Sequence, residues 1–380
     1  MTIDRISGEP MLRAAHPYRR LAVIGAGAYA TALAHVAACD GTDVTMWSRR
    51  ADIAERINQT SQNAEYLPGI SLDPCVSASS DMLTVLRDAD AVLLVVPSHA
   101  IRQTARLMRP HIPAGIPIAV CAKGIESGTG LLMSQIVEDE LPGHCVGALS
   151  GPTFALELAA GHPSAATLAF PFDQSDRLHP EDSAAARMAV TLATPAFRTY
   201  ISDDLVGVEI GGAVKNVIAI ACGMMRGAGF AENTRAALIT LGVDEMKALA
   251  EALGGRRETV TGLSGVGDLT LTCSSQTSRN MSLGLQLGQG MDRDDCFSGK
   301  PTVVEGEANA VSVTDLARKL SVPMPICETV RSILHEGQPI ENGFARLWSE
   351  PIESEPRAMS LTFAHPASLP LFTSAEERPR

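Results

Sequence analysis

Aromatic residues are scarce in this sequence, at only 4% of its 380 residues. A hydrophobic core must therefore be built mainly from alanine, valine, isoleucine, leucine and methionine, since hydrophobic residues still make up 45% of the chain. Charged residues contribute 19%, which is globular composition and excludes a disordered chain. At about 100–200 residues per domain, the length favours two domains or three.

Patterns that would bind a structural metal are also missing. The eight cysteines are scattered without a C-x-x-C pair, and the nine histidines show no metal-ligand spacing. Most of the cysteines lie in apolar stretches, which is typical of reduced thiols packed in a core. We therefore expect no metal site.

Basic residues are outnumbered, with 31 against 43 acidic residues and a net charge of −12. Such a chain repels phosphate polymers at long range, so nucleic acid is not an expected partner, whereas a few converging cations could still bind a small anionic substrate. No apolar run reaches the length of about 18 residues that predicts a membrane span, and residues 1–20 lack the apolar region of a signal peptide. We expect a cytoplasmic protein.

Two kinds of hydrophobic periodicity divide the chain. Between about residues 21 and 203, short apolar runs alternate with helical patterns, which predicts a doubly wound, Rossmann-type α/β domain with a mostly parallel sheet. From about residue 205 only helical patterns follow, which predicts an all-α second domain. The predicted divisions are an N-terminal tail (1–20), a dinucleotide-binding domain (21–204), a substrate domain (205–350) and a proline-punctuated C-terminal tail (351–380). We expect the C-terminal tail to be partly disordered or to lie on the surface.

A dinucleotide-binding pattern, G-x-G-x-x-A, stands directly after the first predicted strand and before a long apolar helix. Gly25 would make the tight turn, Gly27 would let the backbone approach a pyrophosphate, and Ala30 would allow close packing of helix on strand. The free N–H groups of the helix would bind the phosphates. The alternative is a glycine turn without a ligand.

The choice between the two nicotinamide coenzymes is expected to depend on the end of the second predicted strand. An acid there would hold the ribose 2′-hydroxyl of NAD, but the strand ends in Arg49 and Arg50. Asp43 lies at the wrong end of the strand, and Asp52 lies past the turn. Two arginines suit a 2′-phosphate, so NADPH is favoured over NADH, unless the arginines simply begin a solvated helix.

Lys215 and Asn216 interrupt a predicted helix over residues 208–223 that is otherwise nearly all apolar or small. Burying an ammonium group is costly unless it is paired, and desolvation lowers its pKa. A lysine in such surroundings can serve as a general acid or base near neutral pH. The alternative is a lysine whose stem is buried while its ammonium reaches water.

Polar residues also follow two predicted strands at their carboxyl ends, where ligands bind in doubly wound sheets. These are Lys123 and the segment that begins at Ser150. A glycine-rich turn over residues 262–273 carries one acid, Asp268. Taken singly, each could be an ordinary loop residue, and what favours function is that all of them would face one cleft between the domains.

A third polar feature is a predicted helix start. Ser278 is a natural N-cap, and Arg279 and Asn280 stand in the first turn. A helix N-terminus together with an arginine can bind a small phosphate group. The alternative is a capped helix on the surface.

Together these segments resemble bacterial NAD(P)-dependent glycerol-3-phosphate dehydrogenase over about residues 21–337. Ala28 and Ala30 stand where that family often has serine and glycine, and the residue after the second strand varies among its members. The motifs that carry the resemblance are Gly25-Ala-Gly-Ala-Tyr-Ala, Val96-Pro-Ser-His, Lys123-Gly, Ser150-Gly-Pro-Thr-Phe-Ala, Gly212-Ala-Val-Lys-Asn-Val, Gly265-Val-Gly-Asp-Leu, Ser278-Arg-Asn and Val303-Val-Glu-Gly.

The resemblance implies a role for each matching residue. Lys215 would be the proton acceptor, with Lys123, Asn216 and Asp268 also at the catalytic centre. The expected substrate-binding residues are Lys123, Gly151, Thr153, Lys215, Asp268, Ser278, Arg279 and Asn280. With the glycine turn and the two arginines, the expected cofactor-binding residues are Gly25, Gly27, Ala28, Tyr29, Arg49, Arg50, Lys123, Ala155, Arg279, Val303 and Glu305.

The implied reaction is hydride transfer between C2 of sn-glycerol 3-phosphate and C4 of the nicotinamide, with dihydroxyacetone phosphate as the oxidised substrate. It would use NADPH/NADP or NADH/NAD, supply glycerophospholipid synthesis and take place in a homodimer without a metal. One alternative is a hydroxyacid or 6-phosphogluconate-type dehydrogenase, which shares the α/β-plus-α layout. The other is a non-catalytic dinucleotide sensor, against which a lysine in an apolar helix argues.

Overall fold

The computed structural model describes residues 14–350, 352–353 and 362–363. Most of the predicted N-terminal tail and of the predicted C-terminal tail therefore lies outside the described residues, and so does the expectation of disorder for the latter. The two short stretches after residue 350, Ile352–Glu353 and Thr362–Phe363, pair as antiparallel strands.

An eight-stranded sheet forms the α/β part of the protein. Its strands are β1 (Arg20–Ile24), β2 (Asp43–Trp47), β3 (Val76–Ser79), β4 (Ala91–Leu94), β5 (Ile118–Val120), β6 (Val146–Ser150), β7 (Ser164–Ala169) and β8 (Phe197–Ser202). Their order is β3-β2-β1-β4-β5-β6-β7-β8, and every neighbouring pair is parallel except β6 and β7. The predicted mostly parallel, doubly wound sheet is confirmed.

Helices cover both faces of this sheet. They are α1 (Ala28–Ala38), α2 (Ala51–Thr60), α3 (Met82–Leu86), α4 (Ile101–Met108), α5 (Met133–Glu140), α6 (Ala155–Ala159), α7 (Gln174–Leu178) and α8 (Ala184–Leu192). Alternate residues of β1 point to opposite faces, as in any strand. Leu21 and Val23 pack in a core with α1 and α8, whereas Ala22 and Ile24 pack in a second core with α4 and α5.

The second part of the chain is helical, as predicted. Its helices are α9 (Leu205–Gly227), α10 (Glu232–Ala252), α11 (Arg257–Val260), α12 (Asp268–Ser274), α13 (Arg279–Gly288), α14 (Glu305–Lys319), α15 (Pro325–His335) and α16 (Ile340–Trp348). The predicted domain boundary at residue 204 lies between β8 and α9. Helix α9 is the centre of this part, and its residues from Gly207 to Met225 are all buried.

Helix α9 is also, within the part of the chain that the structure describes, the one helix long and apolar enough to cross a membrane. The sequence pattern does not predict such a run, because Glu209 and Lys215 interrupt it. In the fold, 89% of its most apolar window is buried inside the protein, and the core helix of a globular protein meets the same criteria. The apolar residues of α9 are therefore explained by their packing in the core of the helical part.

Glycines set the spacing between α9 and α13. Gly223 and Gly227 on α9 face Gly284 and Gly288 on α13. A Cβ atom on Gly284 would lie 2.1 Å from the carbonyl oxygen of Ile220, so the two backbones touch where side chains would otherwise separate them. This close packing holds the start of α13 at a fixed position relative to the middle of α9.

Candidate active site

A cavity of about 490 Å³ lies between the carboxyl ends of the central strands and helices α9, α13 and α14. Most of the predicted site residues line it. Those on its wall are Gly27, Ala28, Tyr29, Lys123, Thr153, Ala155, Lys215, Asn216, Ser278, Arg279, Asn280, Val303 and Glu305. The predicted residues that do not line it are Gly25, Arg49, Arg50, Gly151 and Asp268.

The glycine turn after β1 has the shape that a dinucleotide requires. Gly25 adopts a φ of +135°, and a Cβ atom there would lie 2.3 Å from the carbonyl oxygen of Val95, so only glycine fits. Gly27 stands before α1 with open space beside it, and no side chain caps the helix there. The first-turn N–H groups of α1 are thus available to a pyrophosphate. These residues fit the pyrophosphate of a dinucleotide.

Asp268 joins two lysines beneath the cavity. The ammonium group of Lys215 donates to Oδ1 of Asp268 at 2.6 Å and to the hydroxyl of Thr272 at 2.8 Å. The ammonium group of Lys123 donates to Oδ2 of Asp268 at 2.5 Å and to the carbonyl oxygen of Gly151 at 3.4 Å. The carboxylate therefore fixes both ammonium groups at the same end of the cavity.

Burial governs the electrostatics of this cluster. Lys215 is only 7% exposed, so it does not reach out to bulk water. Desolvation lowers the pKa of Lys215 to about 8, although the charge of Asp268 opposes the shift. Burial alone would raise the pKa of Asp268, but the two ammonium groups hold it below its usual value. The carboxylate is ionised, and Lys215 titrates near neutral pH.

Thr272 belongs to the same cluster and is not predicted by the sequence pattern. It follows Asp268 by four residues on α12, and residues four apart share one face of a helix. Its hydroxyl accepts a hydrogen bond from Lys215 and lies 3.3 Å from Oδ1 of Asp268. The spacing of Asp268 and Thr272 is the signal that could have identified it.

Three helices are joined by side-chain amides at the side of the cavity. Asn280 donates to the carbonyl oxygen of the Asn216 amide at 2.9 Å and accepts from the backbone N–H of Gly306 at 2.9 Å. The Asn216 amide lies 3.4 Å from Oε2 of Glu305. Burial raises the pKa of Glu305, although nearby cations oppose this shift. Asn216 and Asn280 thus fasten α9, α13 and α14 to one another.

The start of α13 presents an arginine to the cavity. Ser278 accepts a hydrogen bond from the backbone N–H of Met281, which is the predicted N-cap interaction. Arg279 is exposed, and its guanidinium donates to the carbonyl oxygen of Val303 at 3.2 Å. Arg279 forms no salt bridge among residues 14–350, although its charge opposes the rise that burial causes in the pKa of the nearby Glu305. Its charge is available to an anion.

Tyr29 and Thr153 line the cavity near α6, whereas Gly151 lies beside it without lining it. The hydroxyl of Thr153 donates to the phenol oxygen of Tyr29 at 3.0 Å, and burial raises the pKa of Tyr29, so the phenol stays neutral. A Cβ atom on Gly151 would lie 2.8 Å from the Cα atom of Ala166. Gly151 therefore lets β6 and β7 approach, while its carbonyl faces Lys123.

Arg49 and Arg50 have different surroundings at the end of β2. Arg49 is exposed, and its side chain forms no hydrogen bond or salt bridge within the described range 14–350. Arg50 bonds to Oε1 of Glu65 at 2.5 Å and to Oδ2 of Asp52 at 2.7 Å. Asp52 lies past the turn, in the first turn of α2, as expected, and its carboxylate reaches back to Arg50. The structure separates two arginines that the sequence pattern treats as equivalent.

Comparison with known proteins places the chain among dehydrogenases. Family models described as the N-terminus and the C-terminus of NAD-dependent glycerol-3-phosphate dehydrogenase match residues 20–176 and 204–345. The chain is 46% identical over 339 residues to glycerol-3-phosphate dehydrogenase (NAD(P)+) of Caulobacter vibrioides, covering 89% of this chain and 99% of that protein. It is 44% identical over 335 residues to the Rhodospirillum rubrum protein of the same name, covering 88% and 93%.

The fold of this chain is also similar to that of a solved glycerol-3-phosphate dehydrogenase. The glycerol-3-phosphate dehydrogenase from Coxiella burnetii superposes with a TM-score of 0.80 at 36% identity, covering 87% of this chain and 99% of that chain. The similarity thus extends over both the sheet and the helical part.

Proposed function

The chain belongs to the NAD-dependent glycerol-3-phosphate dehydrogenase family, and we propose that it reduces dihydroxyacetone phosphate reversibly to sn-glycerol 3-phosphate with NADPH or NADH. One observation carries the proposal for the site: the cluster of Lys215, Asp268 and Lys123 lies between the glycine turn and the start of α13. Such an arrangement can polarise a carbonyl group between a dinucleotide and a phosphate-binding helix. The α/β part would hold the coenzyme and the helical part the substrate.

Lys215 would move the proton. As an ammonium group it donates a proton to the C2 oxygen of the substrate during reduction, and as a neutral amine it takes the hydroxyl proton in reverse. Asp268 and Thr272 hold the Lys215 side chain by the two hydrogen bonds described above. Bound coenzyme would supply or accept the hydride, while the protein orients and polarises the substrate.

Arg279 and the N-terminus of α13 would bind the substrate phosphate. The guanidinium offers several N–H donors in a planar fork, and the helix end favours negative charge. Lys123 would contact both substrate and coenzyme, since it lies on the wall where the two meet. The asparagines would hold α9, α13 and α14 in register around the ligands.

The direct test is oxidation of NADPH by the purified protein with dihydroxyacetone phosphate. We expect turnover with this substrate. We expect no oxidation of 3-hydroxyacids when NADP or NAD is supplied instead. Activity with hydroxyacids alone would indicate the other class of dehydrogenase. Coenzyme binding without any turnover would indicate a sensor.

We expect the reaction to depend on pH through Lys215. Reduction needs the ammonium form, which is lost as the pH rises through the pKa of about 8. kcat/KM for dihydroxyacetone phosphate should therefore fall above pH 8, and kcat/KM for sn-glycerol 3-phosphate should rise over the same range. Steady-state rates in both directions between pH 6.5 and 9.5 check this. Reduction that is independent of pH across this range would exclude Lys215 as the proton donor.

We also expect a preference for NADPH that depends on Arg49. This residue follows β2 by two positions, forms no salt bridge within the described residues 14–350, and can pair with the 2′-phosphate. Arg49→Ala should lower kcat/KM for NADPH by about tenfold, the order of a hydrogen bond to a charged group, and leave NADH nearly unchanged. Kinetics with both coenzymes decide the question. Equal or better kcat/KM with NADH for the unmodified enzyme would refute the arginine argument.

The wider role follows from the product. sn-Glycerol 3-phosphate is the backbone of glycerophospholipids, so the enzyme would supply their synthesis in the cytoplasm. We propose a homodimer on the basis of the family resemblance. Gel filtration with light scattering would measure the oligomeric state, and a mass of one 40.0 kDa chain would contradict it.

A further inference from the structure

Four charged side chains form one network at the end of β2. Glu65 contacts Arg50 at 2.5 Å through Oε1 and Arg56 at 2.9 Å through Oε2. Asp52 bonds to the same two arginines, at 2.7 and 3.2 Å. Each guanidinium is thus shared between two carboxylates. Because the four side chains are between 35% and 57% exposed, a ligand can compete for them.

The loop that carries Glu65 is fixed beside the glycine turn. Asn63 is only 3% exposed, and its amide donates to the carbonyl oxygen of Ala26 at 2.9 Å and to the hydroxyl of Thr31 at 2.8 Å. Glu65 follows two residues later. The network therefore lies next to the place where the end of β2 meets the dinucleotide turn, which is where this fold binds the adenosine ribose.

Glu65 carries a full negative charge at neutral pH. The guanidinium groups of Arg56 and Arg50 hold the pKa of Glu65 below its usual value, and weak desolvation does not reverse this. A 2′-phosphate must compete with this carboxylate for Arg50 and is also repelled by it. A ribose 2′-hydroxyl is not repelled, and it can donate a hydrogen bond to a carboxylate.

We propose that Glu65 is a specificity-determining residue that limits the preference of this enzyme for NADP(H) over NAD(H). It does so by holding Arg50 together with Asp52, which leaves Arg49 as the arginine that meets the 2′-phosphate. The inference rests on the proposed coenzyme use and assigns a residue outside the glycine turn and the strand end. It also explains how one site can accept both coenzymes. The end of β2 offers one arginine without a salt bridge in the described part of the chain, Arg49, and one that is held by carboxylates, Arg50.

The test uses Glu65→Gln and two probes that carry only the adenosine end of the coenzymes. Adenosine 2′,5′-bisphosphate and adenosine 5′-monophosphate are titrated into the full-length protein by calorimetry. We expect the variant to bind the bisphosphate about two- to fivefold more tightly, as for release of a surface ion pair, and the monophosphate with unchanged or weaker affinity. The ratio of kcat/KM for NADPH to that for NADH should rise by a similar factor.

Asp88→Asn is the matched control. It removes one exposed carboxylate, paired with Arg87, from the loop that leads into β4, at the amino ends of the strands and so opposite to the end at which Arg50 lies. The control should change neither the ratio of affinities for the two probes nor the ratio of kcat/KM for the two coenzymes. It thereby separates the local effect of Glu65 from a change in net charge. Raised ionic strength should also reduce the difference between Glu65→Gln and the unmodified protein.

Two results would overturn the proposal. An unchanged affinity ratio would show that Glu65 does not restrain Arg50, and weaker binding of the bisphosphate would show that Glu65 instead positions Arg50 for the phosphate. The probe measurements do not depend on turnover. If the unmodified protein fails to reduce dihydroxyacetone phosphate while the variant shows the expected binding shift, the proposed function fails and this inference stands.

Discussion

Replacement of Lys215 with alanine is expected to lower kcat for reduction of dihydroxyacetone phosphate by about 10²–10⁴, the usual contribution of general acid–base catalysis. The loss follows because Lys215 is the buried ammonium group whose pKa lies near 8 and which Asp268 and Thr272 hold at the cavity. Single-turnover and steady-state rates measure the effect. NADPH affinity should barely change, since the glycine turn and the end of β2 are untouched.

Two further variants test whether the loss of kcat is due to the missing ammonium group of Lys215. Lys215→Met keeps an unbranched chain within the apolar surroundings of α9 and should lose as much kcat as the alanine variant. Lys247→Ala removes a lysine from α10 that pairs with Asp244, and it should leave kcat unchanged. If either Lys215 variant retained kcat, the proton would have to come from another group, and the assignment would be wrong.

Local pattern explains why much of the fold is predictable. Central strands such as β1 and β4 are buried on both faces and read as apolar runs, so their position is evident from the sequence. The pattern does not predict β3, whose residues are Val-Ser-Ala-Ser. This strand lies at the edge of the sheet beside β2 alone, where polar residues are tolerated because one side faces solvent.

Local pattern explains less of the site. The environment of Lys215 is predictable because its neighbours on α9 are apolar or small, and the fold indeed buries it. The pairing of Lys123 with Asp268 joins residues 145 positions apart, so no spacing rule could show it. The contact between Arg50 and Glu65 likewise depends on how the loop after α2 folds back. Motifs therefore indicate which residues matter, and the tertiary structure decides which of them touch.

Replacement of Arg279 with alanine is expected to cost about 1.5–3 kcal/mol in kcat/KM for dihydroxyacetone phosphate, the value of hydrogen bonds to a charged group. Arg279 stands in the first turn of α13, next to the Ser278 cap, and forms no salt bridge in the described part of the chain. Unphosphorylated dihydroxyacetone never makes the contact, so its kcat/KM should change little. Comparing kcat/KM for the two substrates in the unmodified enzyme and in Arg279→Ala therefore measures how much Arg279 contributes to binding of the phosphate.

Arg279→Lys tests the geometry of that contact. Lysine keeps the charge but cannot form two parallel hydrogen bonds to a phosphate, so this variant should fall between the unmodified enzyme and Arg279→Ala. Arg226→Ala, which removes an exposed arginine from the last turn of α9, should leave both substrates unaffected. We expect the KM for NADPH to rise in the Arg279 variants, because Arg279 also bonds to the backbone of Val303, one of the proposed cofactor-binding residues. If Arg279→Ala lowered kcat/KM equally for both substrates, Arg279 would not bind the phosphate, and the substrate would have to be held elsewhere.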